Sequence, residues 1–321
     1  MSTTFETVKT DIARDQWGRP LVIPPGGGKP IAYTRATTFV DCLDDKTNLA
    51  KWQQRQVLRG VRQLPSLMLE VAAANDDDKT LNSIAEKALT AAASQSKADI
   101  GTALHSLTEA VDRGADISTV PAEYRGDLDA YARIMTGIDV VSTETFTVLD
   151  DYQVGGTHDR LLRFPQLGDQ PVVGDVKTGR IDYSIGKIGM QLAVYAHSQR
   201  YNPADGARTE LGARQDLAVI IHLPAGEARA ELVWVDIAEA WKSIALAAQV
   251  RAWRKRKHEP VPSPLDTFTA DILDGLIAKA VSEADLIALW SANTAAWTQR
   301  HTNLAAERKA AIYAQAHQKV S

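Results

Sequence analysis

The chain has 321 residues, with a hydrophobic share of 45%, a charged share of 24% and a net charge of −4. Those values are ordinary for a globular protein with ample chain for a core, in one large domain or two small ones. A lone cysteine, Cys42, excludes an internal disulfide framework and any four-cysteine metal site. No apolar run approaches membrane-spanning length, and the N-terminus lacks the basic-then-apolar form of a signal peptide. A cytoplasmic protein with no membrane partner is therefore expected. The charge balance counts mildly against nucleic acid, although positive charge confined to one groove is compatible with DNA.

Residues 1–30 read as an extended, loosely structured arm. Pro24-Pro25 and Gly26-Gly27-Gly28-Lys29-Pro30 are loop chemistry. Lys29 is followed by Pro30, not by the Ser or Thr that opens the helix of a phosphate-binding loop. Helical spacing then runs over Asn48–Arg59, Leu67–Ala74 and Leu81–Ala93, with Asp76-Asp77-Asp78 as a solvated turn and helix cap. Together, residues 1–98 make an N-terminal arm and helical region. Asp99 is expected to cap a helix over Ile100–Arg113, closed by Gly114. His105 lies on it, and a lone histidine on an amphipathic helix is ordinarily a packing residue. A second helix covers Ala122–Met135.

Val140–Val148 alternates and is rich in Thr and Val, so it reads as the first strand. Glu144 lies on it, by itself an exposed strand acid. Val154–Phe164 and Pro171–Lys177 are the second and third strands. Ser184–Arg200 is helical, and Gln191 and Tyr195 share one of its faces. Asp216–Leu223 and Ala228–Val235 are strands joined by the turn Pro224–Glu227, and Ile237–Lys257 is a long helix. The order helix–strand–strand–strand–helix–strand makes an α/β fold, a mixed sheet of about five strands flanked by helices.

Strand alternation sends Asp175 and Lys177 the same way and Val176 the other. Asp159 sits on the preceding strand. If the two strands are neighbours, two carboxylates and an amine meet at one sheet edge. Magnesium takes oxygen ligands of this kind together with substrate phosphate. Such an ion polarises a phosphoryl oxygen and makes a bound water more acidic. The lysine holds that water and offsets the charge that builds on phosphorus. These residue types point to phosphodiester hydrolysis. Alternation sends His158 to the face opposite Asp159, as a structural residue.

Gly156-Thr157-His158-Asp159, then Asp175-Val176-Lys177-Thr178-Gly179, then Gln191-Leu192-Ala193-Val194-Tyr195 resembles the PD-(D/E)XK nuclease superfamily, and within it the RecB-type exonucleases. Gly101-Thr102-Ala103-Leu104-His105 resembles the Gly-x-x-x-His helix that precedes the core in that group. More softly, Tyr33–Phe39 with Leu49-x-x-Trp52-x-x-Arg55 resembles the leader of RecB-like exonucleases of actinobacterial phages. The resemblance spans residues 101–257 and implies a restriction-endonuclease-like core over 99–258. It implies Asp159 and Asp175 as metal ligands, the Val176 carbonyl and His105 completing the shell, and Lys177 activating water. Gln191 and Tyr195 would support that geometry at the mouth of the site, and Glu144 would lie near the metals. The implied cofactor is Mg2+ or Mn2+; with one cysteine, no iron–sulfur cluster is expected. The implied activity is a RecE-like phage recombination exonuclease acting on linear duplex DNA ends. Its partners would be a single-strand annealing protein and further copies of the chain. An endonuclease on the same fold and an inactive DNA-binding scaffold are the alternatives.

Five basic residues lie between Arg251 and Lys257, with Trp253 among them. Cations at a helix C-terminus complement the helix dipole; beside a nuclease core, Arg251, Arg254 and Lys255 are also candidates for DNA-backbone contacts. Pro260, Pro262 and Pro264 mark a linker. Beyond it, residues 265–321 form a C-terminal helical region, expected as two segments, Thr269–Val281 and Ser282–Ala314. Leu286, Leu289, Trp290, Ala296 and Trp297 give the second an apolar stripe.

Overall fold

The computed structural model describes residues 11–92, 96–118, 120–257, 259–260 and 264–318, without the side chains of 96–99, 264–268 and 316–318. The chain divides into two compact units, Met1–Lys255 and Arg256–Ser321. Among the described residues, no helix is long and apolar enough to cross a membrane.

The first unit begins with two short strands, β1 (Leu21–Val22) and β2 (Ile31–Ala32), paired antiparallel around the exposed glycine-rich loop. A third, β3 (Thr34–Arg35), runs parallel to residues 154–155 of the central sheet. The described part of the arm, from residue 11 onward, is therefore not loose. Val22 and Tyr33 are buried, the Tyr33 hydroxyl donates to Asp150 at 2.6 Å, and the Ile23 N–H donates to the Tyr201 hydroxyl at 2.9 Å. Residues 1–10 lie outside the described part. A short helix α1 (Ala36–Val40) follows, and then α2 (Thr47–Gln63), α3 (Ser66–Ala74) and α4 (Asp78–Ala92). Asp77 caps α4 by accepting the Thr80 N–H at 2.9 Å. Gly60 lets α2 lie directly on α4, because a Cβ there would come within 1.8 Å of the Ala88 carbonyl oxygen.

The central layer comprises α5 (Ser96–Asp112), α6 (Ala122–Ile134), β4 (Asp139–Leu149), β5 (Val154–Arg163), β6 (Val172–Lys177), α7 (Ile185–Ala196), β7 (Gln199–Tyr201), β8 (Arg208–Glu210), β9 (Leu217–His222), β10 (Glu231–Asp236) and α8 (Ile237–Lys255). The Asp99 side chain proposed as a cap lies outside the described part, and α5 begins before it. Sheet order is β10-β9-β6-β5-β4-β7-β8, with β3 beside β5. β6 and β9 are parallel, which requires a crossover, and α7 lies within it. The remaining long strands pair antiparallel, so the fold is mixed α/β with a mixed central sheet flanked by helices.

Alternation sorts the strand residues between two cores. Leu161, Val173 and Ile220 pack with α1, α7 and α8, while Leu162, Val172, Val176 and Val219 pack with Tyr131 of α6 and Val111 of α5. The helix expected over Ser184–Arg200 ends at Ala196. Gln199 and Arg200 instead pair with Val148 and Thr147 and extend the sheet. Buried Asp127 of α6 accepts the N–H groups of Gly226 and Ala228, both at 2.7 Å, and so pins the β9–β10 turn to that helix.

The second unit holds α9 (Pro264–Lys279), α10 (Glu283–Ala292) and α11 (Gln299–Gln318). Ile277, Ala280 and Leu286 are its buried core, with Leu289, Trp297 and Leu304 packed on them. The single helix expected over Ser282–Ala314 is broken at residues 293–298. Asn293 turns its amide back onto the Leu289 carbonyl at 2.9 Å, and buried His301 accepts the Thr298 N–H at 2.9 Å to start the next helix. A capping box between Ser282 and Asp285 opens α10.

Candidate metal centre

The site forms where β5 and β6 separate. Their ladder runs as far as Arg160 opposite Gly174. One residue on, the Asp159 carboxylate accepts the Val176 N–H at 2.8 Å, replacing a backbone acceptor. On the other side of β5, the ladder to β4 is interrupted at Glu144, between the pairs Thr143–Arg160 and Thr145–His158. Glu144 has a φ of 47°, a left-handed conformation that a residue with a Cβ adopts at a cost, and one that clusters at functional sites.

This irregularity breaks the alternation of β5. Gly156 and His158 face Tyr195 of α7, whereas Arg160 reaches Asp112 and Thr108 of α5. Asp159, at the break, turns to α5, where His105 Nε2 lies 2.8 Å from its Oδ2. His158 is buried beside Tyr195, its ring nitrogens unpartnered and its pKa pushed down to about 4 by burial. It is a packing residue, as its sequence position implied.

Two glycines of the sequence pattern have steric reasons. A Cβ on Gly156 would come within 2.8 Å of the Tyr195 ring, and one on Gly101 within 2.7 Å of the Thr178 hydroxyl. The first lets α7 lie under β5; the second lets α5 cross the end of β6 and bring His105 to Asp159.

On β6, Val173 and Val176 fall in opposite cores, so Asp175 and Lys177 share the Val173 face. The Lys177 ammonium contacts Asp175 Oδ2. That oxygen is buried and receives no well-directed hydrogen bond. Burial, then the Asp159 charge, push the Asp175 carboxyl up to about 7 against the opposing pull of Lys177. Burial works against the Lys177 ammonium, yet Asp175 and Asp159 hold its pKa above the ordinary lysine value. For Asp159, burial is also outweighed: His105, Lys177 and the Val176 N–H keep it below the usual carboxylate range. The hydrogen bond to Asp159 raises His105, and burial followed by the charges of Asp159 and Glu109 raises Glu144.

Glu109 was not anticipated. Its Oε1 lies 3.4 Å from His105 Nδ1, one helical turn away, and His105, Glu109 and Glu144 present ligand atoms within 4.8 Å of one another. These three half-buried groups could hold a metal ion. The signal was present as His105-x-x-x-Glu109, which places both side chains on one helix face.

Gln191 donates to the Tyr195 hydroxyl at 3.3 Å and lines a cleft with Lys177, Lys187 and Thr37. Tyr195 is buried beneath β5 and does not reach the mouth expected for it; close packing on Gly156 puts it there, and burial raises its pKa. Lys187 is engaged by Asp41 at 2.6 Å and Asp44 at 3.1 Å. Arg251 donates to the Thr38 carbonyl and the Thr34 hydroxyl and lies over Phe39, tying α8 to the N-terminal segment. Arg254 and Lys255 are exposed.

The residues fit a hard divalent cation. Asp159, Asp175, Glu144 and Glu109 crowd around His105 and Lys177; Arg113 reaches Glu109 Oε2 at 3.4 Å, and fully buried Arg160 is committed to Asp112 at 2.6 Å. An excess of half-buried and buried carboxylate oxygen, one of it without a directed donor, is the donor set such ions take. A pH effect follows from Asp175. Its folded pKa lies above the ordinary 3.8, so ionisation costs the metal-free fold stability as pH rises from 3.8 to about 7. Asp175→Asn is expected to stabilise the metal-free chain relative to wild type by an amount that grows across that window. Added manganese should stabilise wild type more than the variant. Thermal melts in chelator and in manganese measure both.

No family model matches the sequence, and no curated protein matches it.

Proposed function

We propose that this chain is a Mg2+- or Mn2+-dependent deoxyribonuclease, an exonuclease that hydrolyses phosphodiester bonds from duplex ends in a phage-type recombination role. The observation that carries the reading is the pairing of Lys177 with Asp175 on one strand, within reach of the charge of Asp159 on the next, which is itself bonded to the Val176 N–H and to His105. Asp159, Asp175 and the Val176 carbonyl would hold the ion, with His105, Glu144 and Glu109 beside it. When bound, such an ion polarises a phosphoryl oxygen and acidifies a water.

The chain's own groups do the rest. The Lys177 ammonium, kept protonated by its two aspartates, orients the attacking water and offsets the charge that develops on the phosphoryl oxygens. Gln191 presents an amide in the same cleft, and Tyr195 braces it from below. The Gly101 approach to Thr178 keeps α5 and β6 in register. The restriction-endonuclease-like core, a ring-forming homo-oligomer and an annealing-protein partner belong to the same reading by the sequence resemblance.

The test uses an end-labelled linear duplex and a covalently closed circle, each with Mg2+, Mn2+ or chelator. Metal-dependent release of label from the linear DNA with an intact circle is expected. Nicking of the circle would make the protein an endonuclease on the same site, and intact DNA in both metals would reject the hydrolytic reading.

A further inference from the structure

The segment that leaves β6 borders two clefts. A cleft of about 320 Å3 lies on the side of Lys177 and Gln191. Another, of about 620 Å3, lies on the side of Tyr124, His222 and Arg229. Gly179 and Arg180 line both and form the ridge between them. The base of this ridge is rigid. The Leu223 N–H donates to the Lys177 carbonyl at 2.8 Å, the Ala225 N–H to the Thr178 carbonyl at 3.1 Å, and His222 Nε2 lies 3.1 Å from the Gly179 carbonyl.

Tyr183 stands on the same segment and is 84% exposed, the most exposed aromatic among the described residues. The Arg180 guanidinium lies 5.9 Å from its ring centre. A ring with that exposure buries almost no surface, so packing gives no reason for an aromatic there. An open aromatic face with an arginine beside it is what a nucleobase stacks on. The larger cleft is not an anion trap: Arg229 is paired with Glu227 and Arg180 with Asp182.

Resting on the nuclease reading, we propose that Tyr183 with Arg180 is a base-stacking platform for the terminal nucleobase of a DNA end. The ridge divides the two strands. The scissile strand enters beside Lys177, and the complementary strand leaves through the larger, charge-balanced cleft.

The test places 2-aminopurine at the terminal pair of a blunt duplex, with an internally labelled duplex and an unlabelled closed circle as controls. Every protein compared carries Lys177→Ala, in Mg2+. Binding should change the terminal probe's emission and leave the internal probe's unchanged. Tyr183→Ala should abolish the terminal signal and weaken end binding by on the order of 5- to 100-fold, the range for one lost base stack. Tyr183→Trp should keep both, and competition by the circle should be the same for all. Since Tyr183 is exposed, melting curves of the variants should coincide. A terminal signal unchanged in Tyr183→Ala, or absent with Tyr183 present, overturns the platform. Cleavage of single-stranded and duplex DNA by the chain with Lys177 intact is scored separately: cleavage without a terminal signal rejects the platform alone, and a Tyr183-dependent signal without cleavage rejects the nuclease reading alone.

Discussion

Lys177→Ala is expected to reduce metal-dependent cleavage of linear duplex by about 10²–10³-fold, the usual cost of losing one preorganised group that stabilises transition-state charge. The lysine side chain is 33% exposed and, among the described residues, its ion-pair partner is Asp175. Without the ammonium, Asp175 protonates more readily, since burial already drives it that way, and this limits the folding cost. Circular dichroism and the melting temperature should therefore stay near those of wild type while the rate collapses. Asp175→Ala should lose at least as much activity, and its manganese-dependent stabilisation with it. Single-turnover digestion of end-labelled duplex by the purified variants measures the effect. A Lys177→Ala protein that cleaves at the original rate would remove the lysine from the chemistry, whatever the fate of the metal site.

The second large effect is on stability. Arg160 is completely buried and spans from β5 to α5. Its Nε donates to Asp112 at 2.6 Å and its Nη2 to the Thr108 hydroxyl at 3.0 Å. Asp112 in turn accepts the Tyr131 hydroxyl at 2.7 Å, so three elements meet on one ion pair. Burial raises the Asp112 pKa even with Arg160 beside it, so removing the cation leaves a carboxylate with little to hold its charge. Arg160→Met is expected to destabilise the fold by about 3–5 kcal/mol, the range for breaking a buried pair by removing one partner. That is a large part of the roughly 5–15 kcal/mol of a typical domain. Urea unfolding measures it. Asp112→Leu in the same chain should recover much of the loss, because an apolar pair leaves no orphaned charge. Cleavage should fall as well, since the same network seats α5 and with it His105 and Glu109. Unchanged stability in Arg160→Met would mean that α5 is held by its apolar contacts alone.

Much of the central layer was legible along the chain. Strand-like composition located β4, β5, β6, β9 and β10: alternation over Val140–Val148, and a continuous apolar run in β9, which the sheet buries on both faces. The Asp175–Lys177 spacing set their shared face, because side chains alternate along a strand. The short strands were not legible: β7 is three residues that pair with β4 only after the chain turns at His197. Nor was the break at residues 293–298, whose polar contacts to Leu289 and Thr298 form across a turn that helical periodicity alone runs through.

For the candidate centre, local order along the polypeptide determined the residue types, the glycines at close approaches and the pairing of acid with amine on β6. Tertiary structure alone decided which way Asp159 turns. Simple alternation cannot predict it, because the interruption at Glu144 unlinks the two halves of β5. The same interruption brings Glu144 towards His105, and helix packing then adds Glu109. Burial, which no spacing reports, moved Tyr195 from the mouth to the floor and set Asp175 near neutrality. An ionisable group's energy depends on every charge and dipole folded around it, and those arrive from distant parts of the chain.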